Sequence, residues 1–304
     1  MLTLSDRFRG CLVGLATGDA LGAPYEGGRI ERFAWKLIGK NWKGEIRWTD
    51  DTQMALDVAA SWLKIGKIDQ DDLANEFSQN YRWSRGYGPG TAKTLRRMRR
   101  GSHWSRAATS VYRQGSYGNG AAMRAPVIAL FCCNQDFGYM VDAVKKASEV
   151  THCNAVAIEG ATLVAFFVYA ALRRMRLKDA IEGFYEFYPN SRFRDKIDIF
   201  QSWIECDVNP PPGDIALSLG NDASAMGSCV TAIYVAEYFK EREFGSMMNC
   251  IIACGGDVDT IGAMAGAIWG ANNGFSGLAS VCLEDERRLI RVAGRILDYV
   301  ISNS

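Results

Sequence analysis

Apolar residues in this chain return every three to four positions and almost nowhere every second one. The stretches FRGCLVGLATGDAL, DTQMALDVAASWL, DAVKKASEVTHCNAVAIEGATLVAFFVYAALRRM and GAMAGAIWGA all carry that repeat. A period near 3.6 lines up one face of a helix, whereas a half-buried strand needs strict alternation. The pattern predicts an all-α fold of roughly a dozen helices, judged by ordinary helix lengths. Only residues 28–47 and the segment NPPPGD (209–214) read as extended loops. No shift in composition marks a linker, so a single domain over 1–304 is expected.

Composition excludes several function classes. With 304 residues, 48% hydrophobic and 23% charged, the chain is long enough for a large core. Its formal net charge of +1 offers no global attraction to nucleic acid or to a membrane surface. The start, MLTLSDRFRG, lacks the basic and then apolar order of a signal peptide. The longest apolar run, ATLVAFFVYAAL (161–172), is too short to span a bilayer and reads as a buried helix. Nine scattered cysteines without paired CxxC spacing suit a reduced, cytoplasmic protein. Gly262, Gly266 and Gly270 form a smooth stripe, read as close packing against another helix.

The chemistry gathers at helix starts. In WTDDTQMAL, Asp50 and Asp51 stand between Thr49 and Thr52 and open an apolar helix. One acid there would cap the helix and suit its dipole. Two acids with two hydroxyls exceed that need. Met54, Ala55, Val58, Ala59 and Trp62 follow at buried spacing, which brings the charges close to the core, where unpaired charge is costly. A second helix opens the same way: CGGDVDTIG places Asp257, Asp259 and Thr260 after Gly255 and Gly256. Oxygen donors without His or Cys suit Mg²⁺, Mn²⁺ or Ca²⁺, and four carboxylates meeting in one place would need cations, two of them by charge. Asp19, in GLATGDALGAPYEGG, reads as a cap for a neighbouring segment or a brace for a turn. Glu26 sits in the loop after it, either solvated or catalytic.

Other motifs are weaker by themselves. Gly115, Ser116, Tyr117, Gly118 and Asn119 precede a helical stretch and could present backbone N–H groups to a phosphate. The loop SRGYGPGT leads into Arg96, Arg97, Arg99 and Arg100, which read as a solvated helix end or a polyanion contact. Of the two histidines, His103 reads as surface and His152 as a hydrogen-bonded structural residue in helix-like sequence.

Taken together and in this order, GCLVGLATGDALGAPYE, WTDDTQMAL, RGYGPGT, GSYGNGAAMR, THCNAVAIEGA, GNDASAMGS and GGDVDTIGAMAGAIWGA resemble the ADP-ribosylglycohydrolase family, which includes the dinitrogenase-reductase-activating glycohydrolases. The resemblance implies a compact all-α orthogonal helix bundle and a centre of two Mg²⁺ or Mn²⁺ ions. It implies Thr49, Asp50, Asp51, Asp257, Asp259 and Thr260 as metal positions, and Glu26 and Asp51 as catalytic ones. The Gly115–Asn119 loop would wrap the diphosphate and His152 would contact the ligand. RGYGPG and GSYGNG look most like the branch that frees ADP-ribose from serine, poly(ADP-ribose) or O-acetyl-ADP-ribose. The expected activity is hydrolysis at C1 of the distal ribose, by a monomer acting on an ADP-ribose-modified protein or an ADP-ribose derivative. An arginine-type hydrolase, another two-metal hydrolase such as a phosphoesterase, and a non-catalytic ADP-ribose-binding protein are the competing readings.

Overall fold

The computed structural model describes residues 2–278 and 280–303. Among them it contains sixteen α-helices and isolated β-bridges in place of strands. The helices run α1 (Leu4–Gly22), α2 (Arg29–Ile38), α3 (Asp50–Ile65), α4 (Gln70–Asn80), α5 (Pro89–Arg99) and α6 (Trp104–Ala108). There follow α7 (Ala125–Phe131), α8 (Phe137–Glu149), α9 (Ala155–Arg173), α10 (Leu177–Phe187) and α11 (Arg194–Glu205). The chain ends with α12 (Pro212–Leu219), α13 (Ala225–Tyr238), α14 (Phe244–Cys254), α15 (Val258–Asn273) and α16 (Glu286–Ser302). The all-α expectation holds. The count exceeds a dozen because short helices such as α6 and α7 are too brief to show a full period.

The glycine stripe finds its partner at the other end of the chain. α1 and α15 lie antiparallel, and Gly10, Gly14 and Gly18 face Gly270, Gly266 and Gly262 in turn. A Cβ on Gly262 would stand 2.6 Å from the Gly18 carbonyl oxygen, and one on Gly22 would stand 2.5 Å from the Asp259 Cα. Only hydrogen at these positions allows the backbones to touch. This contact fixes the end of α1 beside the start of α15, and so sets Glu26, just beyond α1, near Asp257 and Asp259.

α9 completes the centre. It has 19 residues, longer than its apolar run, and by length and composition it could cross a membrane. Here 83% of its most apolar window is buried inside the bundle. Arg7 of α1 donates to the carbonyl oxygen of Ala171 at 2.7 Å, placing a cation at the end of α9 where the last carbonyls lack partners. The buried apolar side chains form one contiguous cluster from Phe8 to Val300. Met54, Ala55, Val58, Ala59 and Trp62 all lie in it, as their spacing predicts.

Three local readings are corrected. Residues 28–47 are not all loop, because α2 occupies ten of them. Apolar positions 30, 33, 34 and 37 carry a helical period, yet Phe33 and Leu37 point into solvent, so this helix is not announced by burial. NPPPGD is extended only as far as Pro211, since Pro212 begins α12, a position where a missing N–H costs nothing. Finally, the stretch 142–175 is two helices. The chain turns at residues 150–154, and the Asn154 side chain accepts the Val156 N–H at 3.0 Å to start α9 afresh. His152 therefore lies in a turn, not in a helix.

Candidate active site

Both acidic helix starts converge. Asp19, Asp51 and Asp259 each offer an oxygen within 4.8 Å of the others, and so do Glu26, Asp257 and Asp259. Asp259 belongs to both groups. Glu26, Asp50, Asp51, Asp257, Asp259 and Thr260 line one cleft of about 230 Å³. The glycines that make this possible are Gly255 and Gly256, with φ of +68° and +79°, which turn the chain so that Asp257 precedes α15 and Asp259 sits in its first turn.

Asp19 caps a neighbouring segment, one of its two expected roles. It accepts the Thr49 N–H at 2.9 Å, the Thr52 N–H at 3.0 Å and the Thr52 hydroxyl at 2.5 Å. A residue of α1 thus caps α3 from outside, while Thr49, the N-cap, accepts the Asp51 N–H at 3.3 Å. This leaves Asp50 and Asp51 free of capping duty. Thr260 donates its hydroxyl to Asp51 Oδ1 at 3.3 Å, and Asp259 Oδ1 accepts the Thr260 N–H at 2.8 Å. The Asn119 amide donates to Asp257 Oδ2 and to Ser228 Oγ.

Buried carboxyls facing one another dominate the electrostatics of the cleft. Burial, then the charges of neighbouring acids, holds the Asp50, Asp51 and Asp259 carboxyls well above the usual carboxylate range. Burial pushes Asp19 up to about 6 despite the bonds it accepts from Thr49 and Thr52, and burial with the Glu26 charge pushes Asp257 to about 6. Among the described residues, no Lys or Arg lines the cleft to offset them. Asp51 Oδ2 is buried with no hydrogen-bond partner among the described residues. A hard cation between these oxygens would relieve both the repulsion and the orphaned atom, so the residues present fit a metal centre.

The opposite wall is made of glycine turns. Ser116, Gly118, Asn119, Gly120 and His152 line it, with Gly86, Gly88 and Gly90 from the RGYGPG loop and Tyr112 beside them. Gly118 donates its N–H to Ser116 Oγ at 3.2 Å. Gly115 and Tyr117 stand elsewhere. Gly115 has φ of +78° and shapes the turn against Asn154, and Tyr117 is largely exposed, with its ring centroid 6.3 Å from that of Tyr112. Thr49 is buried behind the cleft as a cap. His152 is buried, with Nδ1 2.8 Å from Thr151 Oγ1. Burial, then the Arg124 charge, lowers its pKa to about 3, so it is neutral at pH 7. His103 is exposed, and the Arg96–Arg100 cluster sits at the solvated end of α5.

Sequence reasoning missed Asp19 as a member of the acid cluster, and also Arg124, Gly120 and Tyr112. Asp19 follows a glycine in a regular helix, and nothing local shows which element it faces. GSYGNGAAMR ends in Arg124. The arginine is buried and bonded to Thr151, a relationship of 27 residues that periodicity cannot carry.

An all-helical bundle whose two acidic helix starts share a cleft walled by glycine turns is the architecture of a class of hydrolases. The chain belongs to the ADP-ribosylglycohydrolase family, which it matches over residues 1–302. It is 31% identical to "ADP-ribosylhydrolase ARH3" of Gallus gallus, covering 88% of this chain and 85% of that protein. It is 27% identical to "ADP-ribosyl-[dinitrogen reductase] glycohydrolase" of Rhodospirillum rubrum, over 91% of this chain and 89% of that one. A solved structure titled "ADP-ribosylglycohydrolase-related protein complex" shares the fold with a TM-score of 0.65, 23% identity, and coverage of 98% and 99%. The protein is thus a hydrolase acting on ADP-ribosyl compounds.

Proposed function

We propose that this enzyme cleaves an O-linked glycosidic bond at C1 of the distal ribose and releases ADP-ribose, with two Mg²⁺ or Mn²⁺ ions at the acid cluster. The observation that carries the reading is Asp259 shared between two carboxylate groups, one with Asp19 and Asp51 and one with Glu26 and Asp257. One site of this kind suits one ion, and two that share a ligand suit a pair. When bound, such ions supply Lewis acidity and orient ribose hydroxyls and water.

The side chains divide the rest of the work. Asp50, Asp51, Asp257, Asp259 and Thr260 would hold the ions. Asn119 steadies Asp257, and Asp19 steadies the start of α3. Ser116 and the Gly118–Gly120 turn line the cleft and would meet the diphosphate. Glu26 sits on a loop at the cleft edge, beyond a 3₁₀ turn and before Gly27 with φ of +73°, where it can take a proton from water or hand one to the leaving oxygen. A single glutamate beside a diol-binding centre differs from the paired carboxylates of ordinary glycosidases.

The O-linked acceptor rests on the likeness of RGYGPG and GSYGNG to that branch. The proposal extends to a cytoplasmic monomer, which sedimentation and cell fractionation test. The decisive experiment incubates the protein with serine-, arginine- and polymer-linked ADP-ribose in Mg²⁺ or Mn²⁺ and identifies products by mass spectrometry. Release of intact ADP-ribose from the serine or polymer substrate is the expected result. Release from arginine alone would overturn the acceptor, and release of inorganic phosphate would overturn the reaction type.

A further inference from the structure

Behind the glycine wall runs a buried chain of hydrogen bonds that ends on the cleft. Arg124, 1% exposed, donates Nη2 to Thr151 Oγ1 at 2.8 Å and to the Ala147 carbonyl at 3.1 Å, and Nη1 to the Gly120 carbonyl. A guanidinium can only donate, so Thr151 Oγ1 is the acceptor of that bond. The same hydroxyl lies 2.8 Å from His152 Nδ1. Its one hydrogen has no other acceptor among the described residues. Were Nδ1 to carry a proton, two donors would converge on one oxygen and the hydroxyl hydrogen would be buried without a partner. The network therefore sets Nδ1 as acceptor and puts the ring proton on Nε2.

Nε2 faces the cleft. A Cβ on Gly120 would stand 2.8 Å from it, and one on Gly118 would stand 3.5 Å away. Both glycines and His152 line the cleft wall. We propose that Arg124 and Thr151 are positioning residues that lock His152 as the neutral Nε2–H tautomer, a fixed donor aimed at an oxygen of the bound ligand. Burial beside the Arg124 cation keeps the ring uncharged, which agrees with its lowered pKa. The ligand's identity as ADP-ribose rests on the function proposed above, whereas the tautomer does not.

The chain has only two histidines, which makes the test direct. Long-range ¹H–¹⁵N correlation spectra of ¹⁵N-labelled, ligand-free protein at pH 7, assigned with His103→Gln, report which ring nitrogen of His152 is protonated. A protonated Nε2 and a bare Nδ1 are expected, and Thr151→Ser should keep them. Thr151→Val should mix the tautomers and weaken ADP-ribose binding about tenfold, the loss of one hydrogen bond, with its melting curve and amide spectrum checking the fold. A protonated Nδ1 in the wild type would overturn the proposal. So would Thr151→Val with wild-type tautomer and affinity. If the tautomer is as expected but wild-type protein does not bind ADP-ribose, the positioning role stands and the ligand assignment fails.

Discussion

Gly18 of α1 and Gly262 of α15 touch backbone to backbone, and a Cβ added to Gly262 would lie 2.6 Å from the Gly18 carbonyl oxygen. The residues are far apart in sequence, yet their contact sets the distance between Glu26 and Asp259, because each acid lies within two turns of its helix end. Stability and chemistry share this seam.

Gly266→Ala is expected to destabilise the fold by about 1–3 kcal/mol, because its Cβ would collide with the Gly14 carbonyl, a backbone atom that cannot rotate aside. Gly294→Ala in α16 has nothing within 4 Å of the new methyl group and should be neutral or stabilising by about 0.5–1 kcal/mol. Thermal melts of both variants check the contrast. Equal effects would mean that helix propensity, not contact, governs the seam.

Asp259→Asn should raise the melting temperature of metal-free protein, since it removes an acid whose ionisation burial and neighbouring carboxylates oppose. The same variant should lose most of the stabilisation that Mg²⁺ or Mn²⁺ brings to the wild type, and most of its activity. Chelation of the wild type should abolish turnover, and either ion should restore it. Melting curves with EDTA and with added metal read both effects, and a metal response unchanged in Asp259→Asn would remove this residue from the site.

Glu26→Gln keeps the size of the side chain and loses its basicity. Binding of metal and ADP-ribose should persist, while kcat falls on the order of 10²-fold or more. Wild-type turnover in the variant would end the catalytic assignment of Glu26.

Gly118→Val should weaken ADP-ribose binding and spare metal binding. A Cβ there already approaches Ser116 Oγ at 3.3 Å and the Ala223 carbonyl at 3.4 Å, and the added methyl groups would fill the cradle. Calorimetry with ADP-ribose and with metal alone separates the two.

Asp57, six residues beyond the acid cluster, supplies a pH dependence of its own. Burial pushes its carboxyl up to about 7, partly offset by bonds from Gln53 and Asn80, and Oδ2 is buried unpaired. The folded state therefore holds a proton here between about pH 4 and 7 that the unfolded state has released. Stability from this group is fully present at the low end and declines as pH rises through that window, by about 1.4 kcal/mol per pH unit at most. Asp57→Asn should flatten that part of the stability–pH curve. A curve of unchanged slope would show that Asp57 is ionised in the fold.

Local pattern determined much of this protein without help from the fold. The apolar period announced the helices, and the buried face of α3 from Met54 to Trp62 follows from it directly. The excess of acid at the starts of α3 and α15 marked the cluster, because charge beyond the needs of a cap is visible in a few residues. Only the tertiary structure decided the rest. It paired the stripe Gly262–Gly266–Gly270 with Gly10, Gly14 and Gly18, more than 240 residues away. It added Asp19 to the cluster as the cap of a helix it does not belong to. It turned Tyr117 outward and Arg124 inward, and it put His152 in a turn between α8 and α9. These are relations between separate elements, set by which surfaces pack together, and a side chain's period along its own helix carries no information about the partner it meets.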